Sequence, residues 1–286
     1  MTENPHLAIL MATYNGEKYL QEQIDSIKAQ TYSRWKLYIR DDGSTDATLA
    51  IIERNVAEDA RIVSVSGGEH KGAKHNFLEL LRLVEADYYM FSDQDDVWLP
   101  HKIAHTLECL QNKERENASK PIAVHTDLRV VDRNLEEISP SLWQMFRTEP
   151  SLIRNLDELG GHCLMTGCTM MFNRMARDLA GREVPAEVLM HDLWLTIVVF
   201  QAGGAVSEVR EATILYRQHA NNTLGTADYR NHFVINKLCA LPRVLKETIN
   251  YYKMLKSVGY GSFCKFFYQK IAYNVRYRRY RKEHKQ

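Results

Sequence analysis

Three aspartates crowd into the segment MFSDQDDVWLP at residues 90–100. Asp93, Asp95 and Asp96 repel one another at neutral pH, so the segment requires a cation or oriented hydrogen-bond donors nearby. Asp96 alone is compatible with an acidic residue at a helix N-terminus, ahead of Pro100. Asp93 and Asp95 suit a hard divalent cation shared with a ligand diphosphate, because carboxylate oxygens are its preferred ligands. Such an ion, Mg²⁺ or Mn²⁺, would neutralise charge on a departing nucleoside diphosphate.

A second group of polar residues, DDGSTD at 41–46, offers contacts for a nucleoside. Asp41 and Asp42 are placed to accept hydrogen bonds from a base or ribose, and Tyr14 offers an aromatic face. The alternative is that DDGSTD is only a turn and a helix cap. The chain has neither GxxxxGK[ST] nor a GxGxxG after its first predicted strand, so neither of these phosphate-binding loops is available.

Short apolar runs alternate with helical periodicity in the first third of the chain. Strands are predicted at residues 7–12, 35–40, 61–67 and 88–93. Strands that alternate with helices indicate right-handed crossovers and a mainly parallel sheet. In such sheets ligands bind beyond the carboxyl ends of the strands, where the polar turns after Ala12, Arg40 and Phe91 lie.

The pattern is less regular beyond Pro100. A helix is predicted from about Leu99 to Glu114. It is followed by strands in PIAVHTDLRVVD, TMMFN and ATILYRQH and by a buried helix in HDLWLTIVVFQAGG. Neither an internal repeat nor a clear linker interrupts the chain before about residue 225. One domain with a nucleotide-binding first half is therefore expected.

Composition limits the class of protein and its compartment. The 286 residues have a formal net charge of +1 and are 45% hydrophobic, enough for a buried core. Five dispersed cysteines without a CxxC pair indicate neither a disulfide framework nor a zinc site. The N-terminus lacks a basic, apolar leader, and no window reaches the roughly 18 apolar residues of a membrane span. These features predict a cytoplasmic protein, with a peripheral position on the inner face of the cell membrane as an alternative.

The C-terminal segment has a different character. Residues 265–286 contain eight Lys or Arg and one Glu. Apolar residues recur beside them near helical spacing, at Phe263, Phe266, Phe267, Ile271 and Val275. This pattern predicts a helical, basic extension over 226–286 that binds an anionic membrane surface. The alternative is that the stripe packs on the domain; nucleic-acid binding is not expected, because the rest of the chain is not basic enough.

Six segments, in this order, resemble the inverting family 2 glycosyltransferases of GT-A fold, especially their rhamnosyltransferase-like branch. They are ILMATYNGEKYLQEQIDSIKAQTY, IRDDGSTDAT, FSDQDDVW, TGCTMMFNR, HDLW and YRQHANNTLG. The resemblance covers about residues 6–225. It implies an α/β GT-A domain over 1–225, with a nucleotide-binding half at about 1–115 and an acceptor half at about 116–225.

The resemblance assigns roles to residues at the strand ends. Ala12 and Tyr14 match the first-strand loop that holds the nucleoside, and Asp42 matches the aspartate that contacts the pyrimidine base. Asp93 and Asp95 match the DXD motif that binds the metal, Mn²⁺ or Mg²⁺, and the donor diphosphate.

The second half of the chain supplies the remaining candidates. Asp192 matches the catalytic base, although the family usually has Glu-Asp where this chain has His191 before it. Asp192 as a mere helix cap is the alternative. His219 is a candidate third metal ligand or an ordinary hydrogen-bonded histidine. Gly167 either lets the backbone approach the donor sugar or simply begins a strand.

The resemblance implies transfer of a sugar, with L-rhamnose from dTDP-L-rhamnose as the first choice, to a hydroxyl of a growing bacterial surface glycan. The acceptor is expected to be lipid-linked. A UDP- or GDP-linked donor, or a noncatalytic sugar-nucleotide or glycan-binding protein on the same fold, are the alternatives, because a fold does not fix activity. A sugar nucleotidyltransferase is disfavoured, since MATYNGEKYL lacks a glycine-rich basic phosphate loop.

Overall fold

The computed structural model describes residues 6–67, 70–162, 165–182, 184–219 and 237–284, without the side chains of residues 237–244. The strands are β1 (Leu7–Thr13), β2 (Trp35–Asp41), β3 (Ile62–Val65), β4 (Tyr88–Ser92), β5 (Val97–Trp98), β6 (Ile122–Val131), β7 (Glu137–Ser139), β8 (Met170–Asn173) and β9 (Ala205–Arg217). The helices are α1 (Leu20–Lys28), α2 (Thr48–Glu58), α3 (Ala73–Leu83), α4 (Lys102–Glu116), α5 (Leu142–Phe146), α6 (Leu156–Leu159), α7 (Arg174–Ala180), α8 (His191–Gln201), α9 (Lys237–Ser257) and α10 (Phe263–Glu283). Short 3-10 turns lie at Pro150–Leu152 and Gly167–Thr169.

Within these ranges the strands form one sheet in the order β3-β2-β1-β4-β8-β6-β9-β5, with β7 paired to β6. The first half is parallel: β1 pairs with β2 and β4, and β2 pairs with β3. Thr13 lies opposite Asp41, and Met11 lies opposite Ser92, so the three strands end at one edge. The predicted α/β fold with polar turns gathered at that edge is confirmed.

The second half of the sheet brings later residues back to the same edge. β8 is antiparallel to β4 and β6, whereas β9 runs parallel to β6 over most of its length. The short β5 follows the aspartate cluster directly and pairs antiparallel with β9, with Val97 opposite Leu215. This pairing places the end of β9 beside the aspartates.

Apolar side chains pack on both faces of the sheet. Leu20, Ile24 and Ile27 of α1 are fully buried against one face, as their helical spacing predicts. α8 is apolar nearly all round and lies within the core on the other face, with Leu195 and Val199 fully buried. Because a helix that is apolar all round is buried, the core holds the first turn of α8 in a fixed position.

The two C-terminal helices pack against that second core. Met254 and Phe266 are fully buried in it, and Tyr260 and Tyr273 are nearly so. The Tyr260 hydroxyl donates to the Asp157 carbonyl at 3.0 Å. The proposed domain boundary near residue 225 falls between 220 and 236, outside the described residues.

Only part of the predicted apolar stripe on α10 faces outward. Phe266 belongs to the core, where the rings of Tyr251 and Tyr252 lie 5.8 and 5.4 Å from it. The other four stripe residues, Phe263, Phe267, Ile271 and Val275, are exposed. Placing all five on one exposed surface was therefore wrong for Phe266, which is buried although its ring lies 5.9 Å from that of Phe263. Among the helices described, none combines the length and the hydropathy that crossing a bilayer requires.

Replacing Phe266 should destabilise the whole domain. Phe266→Ala removes a fully buried ring, and such truncations lower the free energy of unfolding by about 3–5 kcal/mol. Phe267→Ala is the matched control, because this neighbour is 55% exposed and surface changes stay within about 0.5 kcal/mol. Chemical denaturation of both variants measures the difference. Similar unfolding free energies would mean that α10 does not dock on the core.

Candidate functional site

The aspartate cluster lies at the carboxyl end of β4, as predicted. Asp93 is partly buried, and Asp96 is fully buried. Burial, together with the nearby Asp95 and Asp192 carboxylates, raises the pKa of Asp93 to about 7. The structure therefore brings three predicted site residues, Asp93, Asp95 and Asp192, close enough to repel one another electrostatically.

Neighbouring donors neutralise part of this charge. The Arg217 backbone N–H donates to Asp96 Oδ1 at 3.2 Å, while Asp96 Oδ2 is buried without a hydrogen-bond partner among the described residues. Cys168 places its sulfur with one oxygen each of Asp93 and Asp96, all within 4.8 Å of one another. Burial, followed by these two carboxylates, raises the pKa of the Cys168 thiol. The thiol therefore stays protonated at neutral pH, and a protonated thiol does not suit a hard cation.

A more open arrangement surrounds Asp95. Its Oδ2 atom lies 2.8 Å from Nε2 of His219, and both side chains are 15% exposed. The Arg217 Nε–H donates to the Asp95 carbonyl at 2.9 Å, and its guanidinium lies over the Tyr19 ring. Arg217 also pairs with Glu22. Carboxylate oxygen and imidazole nitrogen at this distance fit Mn²⁺ or Mg²⁺ better than the thiol group does.

Sequence reasoning missed Arg217, although it stands two residues before His219. Its partners lie far away along the chain: one nitrogen donates to the Arg133 carbonyl at 2.8 Å, and another pairs with Glu22. The only local signal is an arginine at the end of a predicted strand. Its role depends on the β5–β9 pairing, which the apolar pattern does not reveal.

Asp192 lies in the first turn of α8, with Met190 as the N-cap residue. The Leu193 N–H donates to its Oδ1 atom at 2.7 Å, and the Gly167 N–H donates to Oδ2 at 3.0 Å. Gly167 also leaves space, since a Cβ atom there would lie 2.9 Å from Nε2 of His191. The glycine is therefore needed for close approach, whereas both N–H groups fix the orientation of the carboxylate.

The two aspartates after β2 have different surroundings. Asp41 stabilises its own turn, because the N–H groups of Gly43 and Ser44 donate to its Oδ2 atom at 2.9 and 2.7 Å. Asp42 lines the cavity and accepts from the Lys71 and Gly72 N–H groups at 2.9 and 2.8 Å. Spacing alone did not separate these two residues, whereas the family resemblance selected Asp42.

His70 contacts Tyr14 and Asp42, the two residues that are proposed to hold the pyrimidine base of the donor. Its Nδ1 atom lies 2.7 Å from Asp42 Oδ2, and its ring stacks on Tyr14 with centroids 4.2 Å apart. No signal in the sequence marks His70. A base that stacks on Tyr14 from this side would have to displace the imidazole.

Gln94, inside the aspartate motif, joins two of the loops. Its amide oxygen accepts from the Tyr14 N–H, and its amide nitrogen donates to the Tyr14 carbonyl, both at 2.9 Å. A Cβ atom at Gly16 would lie 2.4 Å from Gln94 Oε1, so a larger residue there would displace the Gln94 amide. The two contacts fix Tyr14 relative to the aspartates.

These side chains surround two adjoining cavities. One of about 560 Å³ is lined by Ala12, Tyr14, Asp42, Asp93, Asp95, Gly167 and Asp192. The other, about 530 Å³, is lined by His219 and Lys18 and shares Tyr14, Gln94 and Asp95 with the first. Every site residue that the resemblance assigns thus lines one of the two cavities, whereas Asp41 lines neither, and Asp95 lines both.

Comparisons with known proteins agree with this geometry. Residues 8–179 match the family model described as glycosyl transferase family 2. The dTDP-rhamnosyl transferase RfbG of Shigella flexneri is 31% identical over 227 residues, covering 75% of this chain and 73% of RfbG. The UDP-Glc:alpha-D-GlcNAc-diphosphoundecaprenol beta-1,3-glucosyltransferase WfaP of Escherichia coli is 31% identical over 108 residues, covering 38% and 42% of the two chains.

A solved structure supports the same fold. The mannosyltransferase PcManGT from Pyrobaculum calidifontis, in complex with GDP-Man and Mn²⁺, superposes with a TM-score of 0.59. The match covers 98% of this chain and 84% of that one, at 17% identity. The GT-A fold expected from the sequence is confirmed.

Proposed function

The chain belongs to glycosyl transferase family 2, and we propose that it moves L-rhamnose from dTDP-L-rhamnose to a hydroxyl of a growing bacterial surface glycan, with inversion. The observation that carries this proposal is the placement of Asp192 in one cavity with Asp93, Asp95 and Asp42. A binding protein needs no positioned base, which disfavours the noncatalytic alternative. The likeness to RfbG, named for dTDP-rhamnosyl transfer, favours rhamnose.

In this proposal Asp192 acts as the general base. One of its oxygens takes the proton from the acceptor hydroxyl while that hydroxyl oxygen forms a bond to the anomeric carbon. The bond between the anomeric carbon and the phosphate oxygen breaks, and the nucleoside diphosphate leaves on the opposite face. The Leu193 and Gly167 N–H groups hold the carboxylate in place at 2.7 and 3.0 Å.

Asp95, Asp93 and His219 would hold a divalent cation, Mn²⁺ or Mg²⁺. When bound, such an ion would stabilise negative charge on the departing diphosphate. The donor set supports this assignment, because Asp95 and His219 face each other at 2.8 Å. The raised pKa of Asp93 supports it too, since the carboxyl lacks a cationic partner.

Replacing a proposed metal ligand should weaken Mn²⁺ binding. Removing the metal from the wild-type protein with excess EDTA should abolish turnover. Asp95→Asn and His219→Gln should each raise the Mn²⁺ dissociation constant on the order of 10-fold or more, as measured by isothermal titration calorimetry. His105→Gln is the control, because His105 pairs with Glu211 at 3.2 Å, and neither residue lines the cavities. Full activity in EDTA would exclude a metal-dependent reaction.

Replacing the proposed base should slow chemistry without weakening donor binding. Asp192→Asn should lower kcat by about 10² to 10⁴, the range for positioned general bases, while the dissociation constant for the donor changes little. Asp25→Asn, an exposed change on α1, is the control. Steady-state kinetics and donor titration are measured on both variants. Turnover near the wild-type value would reduce Asp192 to a helix-capping role.

A panel of dTDP-, UDP- and GDP-linked sugars with Mn²⁺, followed by thermal shift and by product analysis, distinguishes the donor alternatives. We expect dTDP-L-rhamnose to raise the melting temperature most and to be consumed when acceptor is added. A larger shift with a UDP-hexose would assign that donor instead. Binding of a sugar nucleotide without consumption under any acceptor would favour a noncatalytic protein.

We also propose that the acceptor is lipid-linked and that α10 contacts an anionic membrane. WfaP is named for an acceptor on diphosphoundecaprenol. Phe263, Phe267, Ile271 and Val275 recur every four residues on α10 and are 44%, 55%, 52% and 60% exposed. Basic residues at the end of the helix, Arg278, Arg281 and Lys282, are exposed as well. Exposed apolar and basic side chains on one helix suit the interface of an anionic bilayer.

Removing two apolar side chains should release the protein from liposomes while leaving it folded. Phe267→Ser/Ile271→Ser should pellet several-fold less with phosphatidylglycerol vesicles than the wild type, because buried apolar area drives insertion. Leu83→Ser is the control, since Leu83 is 59% exposed on α3. Salt should reduce pelleting, because it screens exposed charges beyond about 8 Å at physiological strength. Equal pelleting of all three proteins would exclude α10 as the contact.

A further inference from the structure

His191 is a buried imidazole without hydrogen bonds. It is 3% exposed, and neither ring nitrogen has a hydrogen-bond partner among the residues that the structure describes. Buried polar side chains are nearly always hydrogen-bonded, and an unpaired one destabilises the fold. An unpaired side chain that also lines a ligand cavity, as His191 does, indicates that a ligand supplies the missing partner.

Aromatic neighbours fix the position of the ring. Phe77 stacks on it with centroids 4.0 Å apart, and Phe91 meets it edge-on at 4.5 Å. Burial lowers the pKa of His191 to about 4, so the ring is neutral and carries one N–H donor and one acceptor nitrogen. A rigid neutral imidazole is suited to recognising a hydroxyl group.

Gly167 lies directly beside one nitrogen of this ring. The Cβ atom of any other residue at position 167 would lie 2.9 Å from Nε2 of His191. The space that the glycine leaves belongs to the cavity that Thr166, Asp192 and Met190 also line. Nε2 therefore lies beside Gly167, whose N–H group donates to the proposed base, Asp192, at 3.0 Å.

The charge of the site also favours a neutral residue here. Asp93, Asp95 and Asp192 line the same cavity, so their carboxylates already repel one another. A carboxylate at position 191 would add a fourth negative charge, and it would accept hydrogen bonds without donating any. An imidazole at 191 can pair with a sugar hydroxyl in either direction without adding charge.

We propose that His191 is a donor-specificity residue whose ring nitrogen hydrogen-bonds a hydroxyl of the transferred sugar. The inference rests on the proposed function, since it requires a nucleotide-sugar donor, and it assigns the sugar part of that donor to the space between Phe77, Gly167 and Asp192. Selectivity follows because a sugar that lacks the hydroxyl would leave the buried nitrogen unpaired.

The test compares binding of the intact donor with binding of its nucleoside diphosphate. His191→Phe keeps an aromatic ring but removes both nitrogens. It should weaken binding of dTDP-L-rhamnose on the order of 10- to 100-fold, as expected for an unmade buried hydrogen bond, while the dissociation constant for dTDP stays within about 2-fold. His191→Gln, which retains a donor and an acceptor, should recover part of the loss.

Two further variants separate recognition from folding. Gly167→Ala keeps the imidazole but places a methyl group against Nε2, so it should reproduce the selective loss. His125→Phe is the matched control: His125 is 2% exposed, packs on Trp143 and lies outside both cavities. That change should alter the melting temperature without altering the ratio of the two dissociation constants.

The outcomes separate this inference from the proposed function. Equal weakening of dTDP-L-rhamnose and dTDP by His191→Phe, or no weakening of either, overturns the role of His191 and leaves glycosyl transfer standing. A second result is that the wild-type protein binds each nucleotide sugar no more tightly than the corresponding dTDP, UDP or GDP and consumes none of the nucleotide sugars. That result overturns both the role of His191 and the proposed glycosyl transfer. A selective loss in His191→Phe and Gly167→Ala, absent in His125→Phe, establishes the contact.

Discussion

Repulsion among buried carboxylates at the end of β4 is the constraint on which the site depends. Asp93 and Asp96 lie where burial disfavours their charged forms, and the compensation around them is neutral or weak: the Arg217 N–H and the Cys168 thiol. Lys102 is buried nearby, but burial lowers its pKa to about 7. Because full compensation is lacking, uncancelled negative charge faces the cavity, which supports the proposed binding of a divalent cation there.

The geometry that exposes this charge comes from strand pairing over long sequence distances. β5 is only two residues long, Val97–Trp98, but it follows the aspartates at once and pairs with Ile214 and Leu215 of β9. The pairing leads Arg217 to the Asp95 carbonyl and His219 to the Asp95 carboxylate. A change of register by one residue would turn His219 to the other face, so the proposed metal ligands depend on this two-residue ladder.

The sequence predicted those parts of the molecule that local pattern determines. Strand ends, helix faces and the acidic motif depend on neighbours in the chain, and the resemblance selected Asp42 over Asp41, a choice that spacing alone left open. The inward position of Phe266 was missed, since a helix with apolar residues on several sides does not show which side meets the core. His70 and Arg217 were missed because their roles come from partners 28 or more residues away.

The segment that precedes Asp192 is supported by different elements from those that support Asp192 itself. Asp192 stands on α8, whose other residues are buried almost throughout. The segment before it is held by α9 and α3, since the Leu189 N–H donates to the Met254 sulfur at 3.4 Å and Lys74 donates to the Val188 carbonyl at 2.7 Å. The first turn of α8, which carries the proposed base, is thus supported by the core, whereas the segment before it is supported by single contacts from α3 and α9.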